Sequence, residues 1–208
     1  TIAVPEENEA YRGSATIPFQ IISDAEAMYQ TAEGGDWQSG SFSQALSSVY
    51  EGGTVRVMKD VVLTDTATIA KNMTITSNDP AQPASITSST SDHGYLLYIC
   101  ADVTMTNIIV DGGSEKGVTA SRALIAVGDG TRSGTLTVGS SCKVRSNNNV
   151  TENGGGGVCV ILGSLTIDGG AISHNHAYYG GGVYISAGSV TMTSGTIENN
   201  SAEKYGGG

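Results

Sequence analysis

Two adjacent stretches near the end of the chain decide the fold. GGGVCVILGSLTIDGGAISHNHAYY spans residues 155–179, and GGGVYISAGSVTMTSGTIENNSAEKY spans residues 180–205. After the shared Gly-Gly-Gly, identical residues recur between them at an offset of 25 in eight further pairs, Val158/Val183, Gly163/Gly188, Ser164/Ser189, Thr166/Thr191, Gly170/Gly195, Ile172/Ile197, Asn175/Asn200 and Ala177/Ala202. One inserted residue then aligns Tyr179 with Tyr205. A repeat of this length indicates a solenoid or a related repeat architecture.

Earlier copies of the repeat carry a triplet of apolar residue, threonine and apolar residue. The triplets are Met73-Thr74-Ile75, Val103-Thr104-Met105, Leu136-Thr137-Val138, Leu165-Thr166-Ile167 and Val190-Thr191-Met192. Alternation with a period of two predicts a strand whose apolar pair faces one way and whose threonine faces the other. A second strand is predicted through Ile109, Val144, Ile172 and Ile197, and a third, preceding the triplet, through 124–127 and 183–185.

Three short strands for each repeat, joined by Gly, Asn and Ser turns, predict an all-β fold. No repeat contains an amphipathic helix of 10 or more residues, which argues against helical solenoids. The pattern favours a right-handed parallel β-helix of about five to six coils, with stacked apolar pairs as its core. Asn147, Asn175 and Asn200 align at one turn, where stacked amides can hydrogen-bond and left-handed backbone angles are tolerated. Glycine runs mark a second turn.

Three regions are predicted along the chain. Residues 1–40 are an N-terminal extension or linker, residues 41–53 a capping helix with Ser41 or Ser43 as its N-cap, and residues 54–208 the β-helix. The sequence ends as a further repeat begins, so we expect a β-helix truncated at its C-terminal end, as in a fragment of a longer protein. An open solenoid end exposes strand edges, which predicts end-to-end self-association.

Composition narrows the range of partners. A formal net charge of -10 argues against binding to nucleic acid, and no apolar run is long enough for membrane insertion. The spacing of the three cysteines, Cys100, Cys142 and Cys159, is not that of a zinc site. We favour a role as small, buried apolar side chains over a disulfide between Cys100 and one of the other two. We expect no metal and no cofactor.

The repeats resemble a known group of proteins. GGGVYI, GS-TMTSGTI, NN-A and the returning GGG are similar to the glycine-rich repeats of pectate-lyase-like β-helix regions in large bacterial surface proteins, many of them adhesin-like. The segments FSQAL from Phe42, GGTVRV from Gly52 and KNMTIT from Lys71 resemble the way such regions begin. This resemblance covers about residues 41–208 and implies an extracellular or cell-wall-attached bacterial setting. It identifies no ligand, because one scaffold carries lyases, hydrolases and binding modules.

No catalytic residues are assigned from the sequence. The NTD, DD and RIK signatures of related hydrolases are absent, and Asp111 and Asp168, which both precede Gly-Gly, lie at different distances from their triplets. A stacked carboxylate pair is therefore not expected. Arg132, Lys143 and Arg145 form the only local concentration of basic residues.

Residues that break the repeat are candidates for binding. In the stretch SHNHAYY, His174, His176 and Tyr178 align with Asn199, Ser201 and Glu203 of the next coil. They are candidate residues for binding a sugar. Two alternatives stay open: these are ordinary exposed turn residues, or the two histidines hold a metal ion.

The sequence therefore predicts a non-catalytic extracellular segment of a bacterial cell-surface protein. It acts as an adhesin-like stalk or as a face that binds a host or cell-surface glycan or protein. The alternative is an incomplete catalytic domain of a polysaccharide lyase or glycoside hydrolase.

Overall fold

The threonine triplets stack on one another in register. In the computed structural model, which describes residues 24–152 and 154–208, Thr74 is the direct partner of Thr104, and Thr166 is the direct partner of Thr191. Thr137 joins the two pairs, and Thr54 of an earlier coil extends them. The predicted threonine column is confirmed, and the chain forms a parallel β-solenoid of about five turns.

The first column of strands contains one strand from every coil. In spatial order it consists of β3 (Gly53–Val57), β6 (Met73–Ser77), β10 (Asp102–Thr106), β14 (Gly134–Val138), the first part of β17 (Gly163–Ser173) and the first part of β20 (Gly188–Glu198). Within β17, Leu165 and Ile167 are completely buried, whereas Thr166 between them is half-buried. The apolar residues of the triplets therefore build the core, and the threonines face outward.

The second column follows after a short turn. It consists of β4 (Val61–Leu63), β7 (Ser85–Ser88), β11 (Ile109–Asp111), β15 (Lys143–Arg145) and the last parts of β17 and β20. Val144 pairs with Ile172 as predicted, but its partner in β11 is Val110, and Ile109 pairs with Lys143. The predicted alignment of Ile109 with Val144 is therefore wrong by one residue.

The third column and two side ladders complete the coils. The third column contains β5 (Ala67–Ile69), β9 (Leu97–Ile99), β13 (Ile125–Val127), β16 (Val158–Val160) and β19 (Val183–Ile185). The side ladders pair β8 (Asp92–His93) with β12 (Thr119–Ala120), and β18 (His176–Tyr179) with β21 (Ser201–Tyr205). A short 3-10 helix, Ser114–Lys116, lies between β11 and β12.

Two strands and a helix precede the first coil. β1 (Ala27–Gln30) pairs antiparallel with both β2 (Trp37–Gly40) and β3, so part of the predicted extension 1–40 belongs to the sheet. Residues 1–23 of that extension lie outside the described residues.

Helix α1 (Phe42–Ser48) lies in the region where the sequence predicts a helix. The Ser41 hydroxyl accepts the backbone N–H of Gln44 at 3.2 Å, which confirms Ser41 as the N-cap. Phe42, Ala45 and Leu46 are buried in the core. Its role as a cap, and the right-handed sense of the solenoid, stay predictions.

The asparagine turn forms a ladder along the solenoid. The Oδ1 atom of Asn175 accepts the backbone N–H of Asn147 at 3.1 Å, and the Oδ1 atom of Asn200 accepts that of Asn175 at 3.0 Å. The prediction of stacked amides is confirmed, but the left-handed angles fall on the preceding residues, Ser146, His174 and Asn199. The asparagines therefore serve as hydrogen-bonding groups, while their predecessors make the turn.

The glycine runs form the second turn. Gly180 has a φ of +58°, and a Cβ atom at Gly182 would lie 2.8 Å from the side-chain amide of Asn200. Gly180 is thus required for a left-handed backbone angle, and Gly182 is required because a side chain there would collide with the asparagine ladder.

The last coil leaves part of the apolar column uncovered. β19 pairs with β16 on one side, and no partner strand lies on its other side within the described residues. Ile185 and Met192 are each 48% exposed, whereas Ile167 one coil earlier is completely buried.

No helix of the described residues is long and apolar enough to cross a membrane.

Candidate functional site

The structure brings together two of the three predicted binding residues. His176 and Tyr178 lie on β18, where both are half-buried and the intervening Ala177 is completely buried. His174 lies at the left-handed turn before this strand, with φ +56° and an exposed side chain. His176 and Tyr178 can therefore contact one ligand, while the conformation of His174 serves the turn.

His176 connects the last two coils. Its Nδ1 atom lies 2.9 Å from the Ser201 hydroxyl, and its Nε2 atom lies 3.6 Å from the Glu203 Oε1 atom. The imidazole is 34% exposed and the Glu203 side chain 57% exposed. Ser201 and Glu203 hold the imidazole in place, and the accessible polar groups of this cluster can donate hydrogen bonds to a ligand or accept them from it.

Three tyrosines and a lysine lie beside His176. The rings of Tyr179 and Tyr205 are stacked with centroids 6.0 Å apart, and the ring of Tyr178 meets Tyr179 edge-on at 4.7 Å. The Lys204 Nζ atom lies 5.6–5.9 Å from the centroids of all three rings. We name this surface, made of His176, Tyr178, Tyr179, Lys204 and Tyr205, the tyrosine face.

The tyrosine face depends on an irregularity in the strand pairing. Ala177 pairs with Ala202, but Tyr179 pairs with Tyr205, so the last coil contains one additional residue between these two positions. A bulge of this kind redirects side chains. The repeat predicted the alignment of Tyr179 with Tyr205, and the structure confirms it, but the sequence analysis did not identify Lys204. The signal that could have identified Lys204 was its position directly before Tyr205, where the last coil has one additional residue.

The two aspartates that precede Gly-Gly lie in different environments. Asp111 pairs in register with Arg145 in the second column, whereas Asp168 pairs with Ser194. The Asp168 Oδ1 atom accepts hydrogen bonds from the hydroxyls of Thr193 at 2.8 Å and Ser194 at 3.1 Å. These aspartates are not stacked, as predicted, and so do not form the carboxylate pair of a glycosidase.

The structure separates the local concentration of basic residues. Arg132 forms a 2.6 Å ion pair with Asp129, and hydrogen bonds from the backbone and side chains of Arg132 and Thr131 hold the pKa of Asp129 well below its usual range. Arg145 pairs instead with Asp111, and Lys143 is exposed on the same strand as Arg145. Only Lys143 and Arg145 therefore share a surface.

The three cysteines are free thiols. Burial raises the pKa of Cys142 to about 12, and burial also raises the pKa of Cys159 and Cys100. Cys142 and Cys159 are buried, as predicted, whereas Cys100 is half-buried. Protonated, shielded thiols of this kind are poor nucleophiles and metal ligands.

No group of three His, Cys, Asp or Glu side chains within residues 24–152 and 154–208 is arranged to hold a metal ion. Comparisons with protein-family models, with curated proteins and with solved structures found no match to this chain.

Proposed function

We propose that this chain is a non-catalytic binding segment of a bacterial surface protein, and that its tyrosine face binds a glycan. The solenoid acts as a rigid scaffold that holds the face at its last two coils. The glycan belongs to a host or a neighbouring cell, and the segment works outside the cell or attached to the cell wall. The bacterial and extracellular parts of this proposal rest on the resemblance of the repeats to those of adhesin-like surface proteins.

The exposed, ordered aromatic rings carry the proposal. Tyr205 is 68% exposed although its ring stacks on Tyr179, so one aromatic face remains open to solvent. A flat aromatic face can pack against the C–H groups of a sugar ring, and tyrosine also offers a hydroxyl. Stacking on Tyr179 orients Tyr205 before a ligand arrives, which lowers the entropic cost of binding.

Polar groups at the edge of the tyrosine face supply hydrogen bonds. His176 and Glu203 lie on neighbouring strands and are partly exposed, so each has capacity for a further partner. An aromatic surface with a few polar groups at its edge can recognise a ligand by ring stacking and by hydrogen bonds. The same arrangement suits a sugar ring with hydroxyls along its edge.

The proposal is tested by applying the 208-residue chain to a glycan array. We expect binding to a limited set of glycans, and loss of this binding in the double variant Tyr178→Ala/Tyr205→Ala. Trp37→Ala is the matched control, because the Trp37 ring also has a cation above it, the Arg56 guanidinium at 4.1 Å, but it lies on β2 before the first coil and not on the β18–β21 ladder that carries the tyrosine face. The control should bind as the unchanged chain does.

Two results would contradict the proposal. One is the absence of glycan binding, or binding that the double variant retains. The other is release of reducing ends or unsaturated products from a bound polysaccharide, if a point substitution abolishes that release. The second result would favour the lyase or hydrolase alternative.

A further inference from the structure

A polar groove lies on the second column, in coils that precede the tyrosine face; its Arg145 pairs with Ser173, three residues before His176. It has a volume of about 280 Å³, and its walls are β7, the end of β11 and the turn that contains the short 3-10 helix. Asp111, Glu115, Lys116 and Arg145 line it, together with the residues Ser85, Thr87 and Ser88 of β7. A groove of this size accommodates a ligand of a few carbon atoms rather than a polymer segment.

Arg145 is held in a fixed orientation at this groove. Its Nε atom donates to the Asp111 Oδ2 atom at 2.9 Å, while the other carboxylate oxygen, Oδ1, accepts the backbone N–H of Gly113 at 2.8 Å. The two Nη atoms of Arg145 have no hydrogen-bond acceptor among the described residues, and the side chain is 39% exposed. An oriented guanidinium with free N–H groups matches the two oxygens of a carboxylate.

The local charge favours an anion despite the net charge of -10 on the whole chain. Asp111 is neutralised by Arg145, and Glu115 is balanced by Lys116 in the same groove wall. Lys143 lies two residues before Arg145 on β15, is exposed and has no ion-pair partner among the described residues, so it adds one positive charge beside the groove. Charges on one strand act on a ligand within a Debye length, whereas carboxylates farther away are screened.

We propose that this groove binds a small hydroxycarboxylate. The carboxylate of the ligand receives two hydrogen bonds from the Nη atoms of Arg145, with Lys143 as an additional positive charge. Hydroxyl groups of the ligand face the Ser85, Thr87 and Ser88 side of the groove, where side-chain hydroxyls can both donate and accept. This binding is independent of the glycan that we propose for the tyrosine face.

The test is an NMR titration of the 208-residue chain with D-glycerate and, separately, with its uncharged methyl ester. We expect glycerate to shift the amide signals of Gly112 and Gly113 in a saturable way, and we expect the methyl ester to leave them unchanged. Arg145→Gln should weaken glycerate binding by about tenfold or more. Arg145→Lys should also weaken it, because lysine keeps the charge but lacks the planar pair of donors.

Arg132→Gln is the matched control, because Arg132 also pairs with an aspartate but does not line the groove. It should bind glycerate as the unchanged chain does. Equal shifts with glycerate and its ester, no saturable shift with glycerate, or full binding in Arg145→Gln would each overturn the proposal. Because the ester comparison uses the unchanged chain, the result holds even if a variant fails to fold. Tyr178→Ala/Tyr205→Ala should keep glycerate binding, which separates this proposal from the glycan proposal.

Discussion

Asn175 and Asn200 are joined by two hydrogen bonds that run from one coil to the next. The Oδ1 atom of Asn200 accepts the backbone N–H of Asn175 at 3.0 Å and its side-chain Nδ2–H at 3.1 Å. Asn175 also donates to the carbonyl O of Val144 at 3.1 Å and accepts the backbone N–H of Asn147. Each asparagine thus satisfies backbone groups that a tight turn would otherwise leave unpaired in the interior.

Replacing Asn175 with alanine should destabilise the fold by about 2–4 kcal/mol, because the substitution leaves the N–H of Asn147 without its acceptor and removes the buried amide donor to the Val144 carbonyl. Asn175 is only 1% exposed, so water cannot readily replace the lost amide. Urea unfolding measures the change. The control Asn78→Ala removes an exposed side chain and should alter stability by less than about 0.5 kcal/mol. Equal stabilities of the two variants would argue against the ladder.

Replacing Ile167 with aspartate should lower the free energy of unfolding by more than about 3 kcal/mol, because a buried carboxylate has no partner in an aliphatic column. Ile167 is completely buried in the described structure. Ile185→Asp is the matched control, because Ile185 is 48% exposed and its replacement can remain hydrated. Thermal unfolding of both variants compares the two positions. An Ile167→Asp variant that melts with the unchanged chain would show that the strand register is wrong.

Thiol labelling at pH 8 should distinguish the three cysteines. Because burial raises the pKa of Cys142 to about 12, almost none of its thiol is ionised at pH 8, and the side chain is also shielded. Cys100 is half-buried and should react first. Raising the pH from 8 to 9 should accelerate the labelling of Cys100, because burial raises the pKa of its thiol and the reactive thiolate fraction therefore still grows with pH. Mass spectrometry after timed labelling measures this order; labelling of Cys142 before Cys100 in folded protein would contradict it.

Much of the fold could be predicted from the sequence because the repeat specifies its own neighbours. Thr166 and Thr191 recur at a fixed offset, and parallel stacking is the arrangement that buries the apolar residues around both. The alignment of Ile109 failed because Ile108, Ile109 and Val110 form a continuous apolar run, in which periodicity alone does not decide which residues face the core. β1 and β2 were missed because they lie outside the repeat and pair antiparallel.

The candidate site was predicted in part. His176 and Tyr178 broke the repeat, and that departure was visible in the sequence. The contribution of Lys204 depends on a bulge whose geometry the alignment did not reveal. Asp111 and Arg145 are 34 residues apart, and their pairing depends on the register of the second column. Pattern alone could not assign that register, since the coils differ in length.

The last coil of this chain should exchange its amide hydrogens faster than the central coils. β19 has a strand partner on one side, and the exposed side chains of Ile185 and Met192 show that the apolar column is uncovered there. Hydrogen exchange should therefore be faster from residue 180 onward than in residues 134–145 of the monomer.

We also propose that this open edge associates with a second copy at high concentration, since unpaired strand edges promote pairing between chains. Exchange in the last coil should then slow as concentration rises, while Met192→Lys should remove that dependence. Uniform protection along the chain in a monomeric sample would contradict the prediction of an open end.

The central claim, that the tyrosine face binds a glycan, is tested most directly by calorimetric titration of the best array glycan against variants of Tyr205. Tyr205→Ala should weaken binding by about tenfold or more, because it removes the exposed ring. Tyr205→Phe keeps the ring that stacks on Tyr179 and should retain most of the affinity. Unchanged affinity in Tyr205→Ala would contradict the claim.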